Sequence, residues 1–365
     1  MNIRKLFNKE NFIRYKSLLL VALFLVGALC LRIYDSNFCN QLETQKLASR
    51  WSEHSKYVQL SIFFEQDAGL SEGEIYPLRD QLMNAASEAA SDVEDEGRML
   101  VDAYSTEGNL DISSKQSDIS VRAYGVSKDF FLFHPLELLS GTYFSSEDEL
   151  KDGIILDELT AWKLFGATDV AGMPVMIYDK TYIIRGVVRN DKGHFSKASS
   201  ESEPVVYVDF DMLKEAMGEE EPTIDSYELL IVNPVKNFGK TKLAEAIGRD
   251  EASYELVDNT NRFTLGSRAK RLRAYGTRSM RNRNLVYPYW ENRARGYEDV
   301  ADLLMVIEIL LLMYPFIFAV KMVLVCIKWL KMKKRLYKDK NKSSLFEIFL
   351  VKCRQRKFVK KNTKE

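Results

Sequence analysis

Alternating apolar and polar positions predict a mixed α and β domain in the middle of the chain. Every second residue of 57–64 is apolar, which predicts a strand with one face buried. Apolar residues at helical spacing then predict a helix over 77–90, with Pro77 placed in its first turn, where proline is tolerated. A second strand is predicted over 99–104.

The same order of elements returns later in the chain. A strand is predicted over 227–232, a helix over 237–247 and another strand over 253–257. Two strand–helix–strand units therefore bracket a long insertion, at about residues 106–225. This arrangement predicts an α+β fold in which a split ferredoxin-like layer carries a mostly β inserted subdomain.

The insertion has structural signals of its own. A strand is predicted over 119–126, a helix over 157–165 and a hairpin whose arms flank Asp179 and Lys180. Residues 190–204 are rich in Lys, Ser, Glu and Gly, which is typical of a surface loop.

Two apolar segments frame this domain and predict two transmembrane helices. Residues 17–33 approach the ~20 apolar residues that span a bilayer. Residues 303–330 suit one tilted helix, with Pro315 inside it. The first segment could instead be a cleaved signal peptide, but no A-x-A site follows it, so we expect a retained anchor.

The charges of the 365 residues balance to zero, yet they are distributed unevenly. Lysine and arginine dominate the basic N-terminus, residues 1–16, and the basic tail, residues 331–365. The positive-inside rule then places both ends in the cytoplasm and the central domain, residues 50–259, outside. Two charges, Glu308 and Lys321, lie within the second predicted span. Either they reach the membrane interface, or they contact a partner helix.

Residues 260–299 form an arginine-rich connector before the second span. Its basic side chains interleave with apolar ones and are candidates for contact with a partner or a polyanion: Arg268, Lys270, Arg271, Arg273, Arg278, Arg281 and Arg283. Anionic lipid headgroups, a cell-wall polymer or an acidic protein surface would each suit them. A solvated connector is the alternative, and nucleic acid is not expected outside the cell.

Catalytic and metal-binding motifs are not evident in the sequence. The three histidines are widely spaced, and of the four cysteines only Cys39 lies in the outer region. These residues form no pattern typical of a metal site or a disulfide framework. We therefore expect neither a cofactor nor an enzymatic activity.

Residues 133–188 contain a spaced series of motifs. A Gly-x-x-Phe turn at 141–144 precedes an acidic stretch, and DGIILDELTAWKLFG follows at 152–166. The sequence continues with DVAGMPVM at 169–176 and ends in YIIRGVV at 182–188. In content and order, this series resembles the extracytoplasmic core domain of MacB-like permease subunits of the FtsX/MacB family.

The resemblance implies a role as well as a fold. Family members have one span before the core domain and three after it, and a loop within those three couples to the ATPase. Here we expect one span after the domain, so the resemblance does not extend to the coupling unit. The resemblance implies a non-catalytic component of an ABC-type export or mechanotransmission complex in the lipid bilayer. Its partners would be an ABC ATPase and fuller permease subunits, and the protein would form homo- or hetero-oligomers. The alternative is a stand-alone membrane-anchored module that binds or senses an extracellular peptide, lipid or cell-wall polymer.

Overall fold

The computed structural model describes residues 9–52, 56–65, 68–89, 98–144, 151–189, 195, 203–218, 223–274, 285 and 287–361. The helices are α1 (Lys9–Cys39), α2 (Leu47–Trp51), α3 (Glu72–Ala89), α4 (Phe130–Phe133), α5 (Glu158–Phe165), α6 (Phe210–Met217), α7 (Phe238–Ile247), α8 (Leu265–Arg273) and α9 (Tyr289–Lys361). The strands are β1 (Tyr57–Phe64), β2 (Leu100–Ser113), β3 (Asp118–Val126), β4 (Leu138–Gly141), β5 (Gly153–Asp157), β6 (Pro174–Ile177), β7 (Lys180–Val188), β8 (Val205–Asp209), β9 (Ser226–Val232) and β10 (Tyr254–Asp258).

The chain divides into two compact units. One extends from Asp35 to Leu303 and contains every strand of the described residues. The other combines the chain up to Tyr34 with the chain from Leu304 onward. We call the first the domain unit and the second the helical unit.

The two predicted strand–helix–strand segments form the ferredoxin-like layer of the domain unit. Its strands lie in the order β10–β1–β9–β2, and each neighbouring pair is antiparallel. Apolar side chains of α3 and α7 pack against one face of this layer and form its core with β1 and β9. The predicted α+β fold class is therefore confirmed.

The inserted subdomain continues the same sheet. We predicted that the second strand would end at residue 104, but β2 extends to Ser113. Its first half pairs with β9 and its second half pairs with β3, so this strand belongs to both the ferredoxin-like layer and the inserted subdomain. The sheet continues through β8, β5, β7 and β4, with β6 paired to β7 and to the end of β2. A second apolar core lies between these strands and helices α5 and α6.

Helix α3 begins five residues before the predicted position. The Glu74 carboxylate accepts hydrogen bonds from the Ser71 backbone N–H at 2.8 Å and from the Ser71 hydroxyl at 2.9 Å. This is the Ser-x-x-Glu pattern that starts helices. Pro77 consequently lies inside the helix, where it lacks the N–H that would bond to the residue four positions earlier.

Strand β1 is buried on both faces, so the prediction of a half-buried strand was wrong. All eight of its residues are buried. The Gln59 side chain accepts a hydrogen bond from the Leu47 N–H at 3.0 Å, and the Phe63 ring contacts the Tyr287 ring with centroids 5.5 Å apart. The second face of β1 is therefore covered by residues that follow α1 and precede α9 in the sequence.

In the helical unit, α1 and α9 pack against each other in antiparallel orientation. The rings of Phe24 and Tyr314 have centroids 5.4 Å apart, and a Cβ placed on Gly27 would lie 4.0 Å from Leu311. Among the described residues, two helical segments are long and apolar enough to cross a membrane: Tyr15–Cys39 and Tyr289–Arg335. Most of their apolar side chains are exposed, as expected for residues that face lipid.

Gly141, at the end of β4, is required by both backbone conformation and space. Its φ is +75°, and a Cβ there would lie 2.0 Å from the Arg185 carbonyl oxygen. Gly172 has a similar φ of +84°, but a Cβ there would meet nothing within 4 Å. Comparing alanine substitutions at these two glycines therefore distinguishes the energy of the steric clash from the cost of the left-handed backbone conformation.

We expect Gly141→Ala to lower the free energy of unfolding by roughly 2–4 kcal/mol, because strain and clash add. Gly172→Ala should cost only about 1–2 kcal/mol. Urea titration of the full-length chain in mild detergent, followed by circular dichroism, measures both losses. Equal losses for the two variants would show that the contact with Arg185 has no energetic effect.

Candidate functional site

A buried set of opposite charges lies where α1 ends and where α8 and α9 begin. We call this set the basal network; its members are Asp35, Glu255, Arg262, Arg268, Arg271, Glu291, Arg295, Glu298 and Asp302. All belong to the domain unit. Four of them recur every three or four residues along α9, which places them on one helix face: Glu291, Arg295, Glu298 and Asp302.

Arg262 is at the centre of the basal network. Its Nη2 donates to Glu291 Oε1 at 2.5 Å and its Nε donates to Glu298 Oε1 at 2.8 Å. Only 1% of the Arg262 side chain is exposed. Burial alone would lower the pKa of this guanidinium, but the two carboxylates outweigh burial and raise the pKa above its ordinary value. Arg262 is therefore a permanent cation held by two acids of α9.

Two arginines of α8 connect that helix to the parts of α1 and α9 that belong to the domain unit. Arg268 Nη1 donates to Asp35 Oδ2 at 2.7 Å, close to the end of α1. Arg271 binds Asp302 of α9 with two parallel hydrogen bonds, from Nε and Nη2, each of 2.8 Å. The second contact is the planar, bidentate arrangement that fixes both partners in orientation.

Arg295 connects α9 to the sheet. Its Nε donates to Glu291 Oε1 at 2.8 Å, and its Nη2 donates to Glu255 Oε1 of β10 at 2.7 Å. The guanidinium also lies 3.7 Å from the centroid of the Tyr287 ring. Because buried ion pairs cost desolvation energy, such a network specifies relative positions more than it adds stability.

The basal network continues into the polar face of the sheet. Arg262 Nη1 donates to Asn259 Oδ1 at 3.2 Å, and Asn259 Nδ2 donates to Ser61 Oγ at 2.7 Å. Ser61 Oγ in turn donates to Glu228 Oε1 at 3.0 Å, and the other Glu228 oxygen bonds to His134 Nε2. A continuous series of buried polar contacts thus joins α4, β9 and β1 to the start of α9.

Aromatic packing attaches the first turn of α9 to the domain core. The Trp290 ring lies among Tyr124, Phe130 and His134, with ring centroids 4.6–5.4 Å apart. The neighbouring Tyr289 hydroxyl is 2.7 Å from the Tyr207 hydroxyl of β8. Helix α9 therefore begins inside the folded domain.

The structure places the predicted contact residues of the connector in two environments. Arg268 and Arg271 turn inward and form the ion pairs described above, whereas Lys270 and Arg273 are exposed. Arg278, Arg281 and Arg283 lie outside the described residues. Contact of the exposed pair with a partner or a polyanion stays a prediction.

Glu308 and Lys321 lie at different levels of the helical unit. Glu308 Oε2 is 3.6 Å from Arg32 Nη1, so it has an ionic contact within the chain. Continuing the antiparallel register of α1 and α9 places Lys321, which is exposed, level with Ser17. Both charges thus lie near the ends of the paired apolar segments, which favours the interfacial alternative.

Sequence reasoning recognised the arginines but missed their acidic partners. The spacing of Glu291, Glu298 and Asp302 at helical intervals was the available signal. The pairing of Arg268 with Asp35 spans 233 residues and had no local signal. Within the described part of the chain, no group of three His, Cys, Asp or Glu side chains is arranged to hold a metal ion.

Comparison with solved structures gives distant similarities. The periplasmic region of MacB from Actinobacillus actinomycetemcomitans is 13% identical, covers 60% of this chain and 94% of its own, and superposes with a TM-score of 0.41. The extracellular domain of the noncanonical ABC-type transporter YknZ from Gram-positive bacteria is 18% identical, with coverages of 55% and 99% and a TM-score of 0.38.

The comparison with curated proteins gave no match. A family model described as MacB-like periplasmic core domain matches residues 45–247. This match includes the series of motifs at 133–188 and the ferredoxin-like layer except for β10. Because it spans more than half of the chain, the protein belongs to the family with a MacB-like periplasmic core domain.

Proposed function

We propose that this protein is a non-catalytic membrane component of an ABC-type export or mechanotransmission complex. Family membership supports the assignment to a membrane transporter component. The finer role rests on how the domain unit holds the end of α1 and the start of α9.

The basal network is the observation that carries this proposal. A module that only binds a ligand can be tethered by a flexible linker, which leaves its orientation free. Here the end of α1 and the start of α9 are built into the domain by the pairs Arg268–Asp35, Arg271–Asp302 and Arg262–Glu291. Such an attachment suits a protein in which movement of the helix ends must move the domain.

The proposed topology places both termini in the cytoplasm and the domain outside. Lysine and arginine are concentrated before residue 17 and after residue 327, at the ends of the two apolar segments remote from the domain. In this arrangement, ATP hydrolysis takes place on a separate cytoplasmic subunit. We propose an ABC ATPase and fuller permease subunits as partners, since these would supply hydrolysis and its coupling to the membrane helices.

Co-purification tests this proposal directly. We expect the tagged full-length protein, extracted from its native membrane in mild detergent, to recover an ABC ATPase together with a permease, identified by mass spectrometry. A tagged membrane protein of unrelated fold and similar abundance is the control for non-specific recovery.

Recovery of the protein without an ATPase or permease would contradict the proposal. That result would favour the alternative, a membrane-anchored module that binds or senses an extracellular peptide, lipid or cell-wall polymer. No observation on the described residues favours this alternative over the transporter role.

A further inference from the structure

We infer that the last part of α9 is a docking segment for an acidic surface of the cytoplasmic ABC ATPase in the proposed complex. This part is residues 336–361, and we call it the α9 extension. The inference rests on the proposed function, because it names the segment that this subunit would contact, and on the proposed topology, which places the α9 extension in the cytoplasm.

The α9 extension contains an apolar run between two basic stretches. Residues 345–351 read LFEIFLV, in which Glu347 is the single charged residue. The whole tail, residues 331–365, contains 14 lysines and arginines against three acids. Apolar residues clustered within a basic helix are typical of a segment that binds a membrane surface or the groove of another protein.

The continuity of α9 separates the apolar run from the lipid. Helix α9 is a single helix from Tyr289 to Lys361. With a rise of about 1.5 Å per residue, the run begins ~22 Å beyond residue 330, where the predicted span ends. The headgroup region on each side of a bilayer is only about 5–8 Å thick, so even a tilt of about 40° leaves the run outside it. A segment lying flat on the membrane would need a break in α9 between residues 331 and 345, where the structure has continuous helix.

Helix α1 does not extend as far as the apolar run. The antiparallel register of Phe24 with Tyr314 places Lys9, the first residue of α1, level with about residue 329. The run begins ~24 Å farther along α9. Within the described part of the helical unit, no other helix therefore lies beside residues 345–351.

Charge favours an acidic protein over a second copy of this chain. A second copy would bring the same excess of lysine and arginine to the contact, and like charges on neighbouring helices repel each other. An acidic surface would instead attract the tail and exclude other basic partners. The occupant that fits is an apolar groove with an acidic rim, on a protein of the cytoplasm.

The apolar residues of the run occupy two sides of α9. Leu345, Phe346 and Phe349 share one side, at the spacing of one and four residues by which helices enter apolar grooves. Ile348 and Val351 lie on the other side at helical spacing. We propose the first set as the anchors, and the second set provides a matched control within the same segment.

Photo-crosslinking at position 346 tests the contact. We expect the full-length protein with p-benzoylphenylalanine in place of Phe346, irradiated in native cells, to form an adduct with a protein that mass spectrometry identifies as an ABC ATPase. The same photo-reactive residue in place of Val351 should give much less of this adduct.

Binding of the purified ATPase measures the contribution of the anchors. The probe is the ATPase recovered with the tagged protein, purified and titrated onto the full-length chain in mild detergent without the permease. We expect L345S/F349S to weaken binding by roughly tenfold or more, because anchors in a groove carry most of the binding energy. I348S/V351S should bind within about twofold of the unchanged protein. Circular dichroism checks that every variant is folded.

Failure of this inference differs from failure of the proposed function. If the unchanged protein recovers no ATPase from native membranes, the proposed function fails and the inference fails with it. If the ATPase is recovered but forms no adduct at position 346, or binds L345S/F349S as tightly as the unchanged protein, the inference alone is overturned. An adduct with a second copy of this chain or with lipid only would also overturn it.

Discussion

Replacing Arg262 by methionine is expected to lower the free energy of unfolding by about 3–5 kcal/mol, because it removes the buried cation that two buried carboxylates share and leaves Glu291 with Arg295 alone and Glu298 with the more distant Arg271. Glu291 and Glu298 both pair with this guanidinium, and their side chains are 2% and 4% exposed. Methionine matches the length of the arginine stem but supplies no charge. Urea titration of the full-length chain in mild detergent, followed by circular dichroism, measures the loss.

Arg98→Met is the matched control for loss of an arginine from an ion pair. Arg98 pairs with Asp129, but its side chain is 56% exposed, so its replacement should cost less than about 1 kcal/mol. Replacing the whole cluster should be milder than breaking it: R262M combined with E291Q and E298Q should recover part of the stability lost in R262M alone. Similar losses for R262M and R98M would contradict the central place of Arg262.

The second large effect is expected for Trp290→Ala, with a loss of about 3–5 kcal/mol in the free energy of unfolding. Trp290 is 4% exposed and contacts residues of the sheet and of α4. Truncation would leave a cavity where α9 enters the core. The same urea titration measures the effect.

Trp162→Ala is the matched control because it removes the same side chain from a surface position. Trp162 of α5 is 56% exposed, so its truncation should change the stability by no more than about 0.5 kcal/mol. If Trp290→Ala were as mild as Trp162→Ala, the first turn of α9 would not be anchored by the core. The attachment would then depend on the basal network alone.

These two variants also bear on the proposed function. Arg262 and Trp290 hold the start of α9 by different means, one by charge and the other by apolar packing. Their effects on stability should be partly non-additive, because both act on the same helix turn. A transporter component that passes movement between helix and domain requires this turn to be held firmly.

Much of the fold followed from local patterns. Strand β1 and strand β9 lie within one residue of their predicted bounds, and α7 ends at Ile247, the predicted last residue. Apolar residues repeat every 2 positions in a strand and every 3.6 positions in a helix, so these patterns can be recognised from residues that are close together in the sequence. The apolar segments and the series of motifs at 133–188 were also evident without any structure.

The candidate site followed from the sequence only in part. The density of arginine in the connector was evident, but the sequence allowed a surface for anions and a solvated linker equally well. The structure instead buries Arg268 and Arg271 against carboxylates and leaves Lys270 and Arg273 outside. Which face of α8 turns inward is decided by acids on α1 and α9, and local spacing does not reveal them.

The sequence by itself determined the α+β class, the two apolar helices and membership of the family, because each depends on local composition, periodicity or short spaced motifs. The tertiary structure decided that β1 is covered on both faces and that the arginines belong to a buried network. Both outcomes depend on contacts between distant segments: the Gln59 N–H bonds to Thr260, and Arg268 reaches Asp35. Burial and charge pairing are determined only when distant segments pack together, because their energies depend on which groups exclude water from one another.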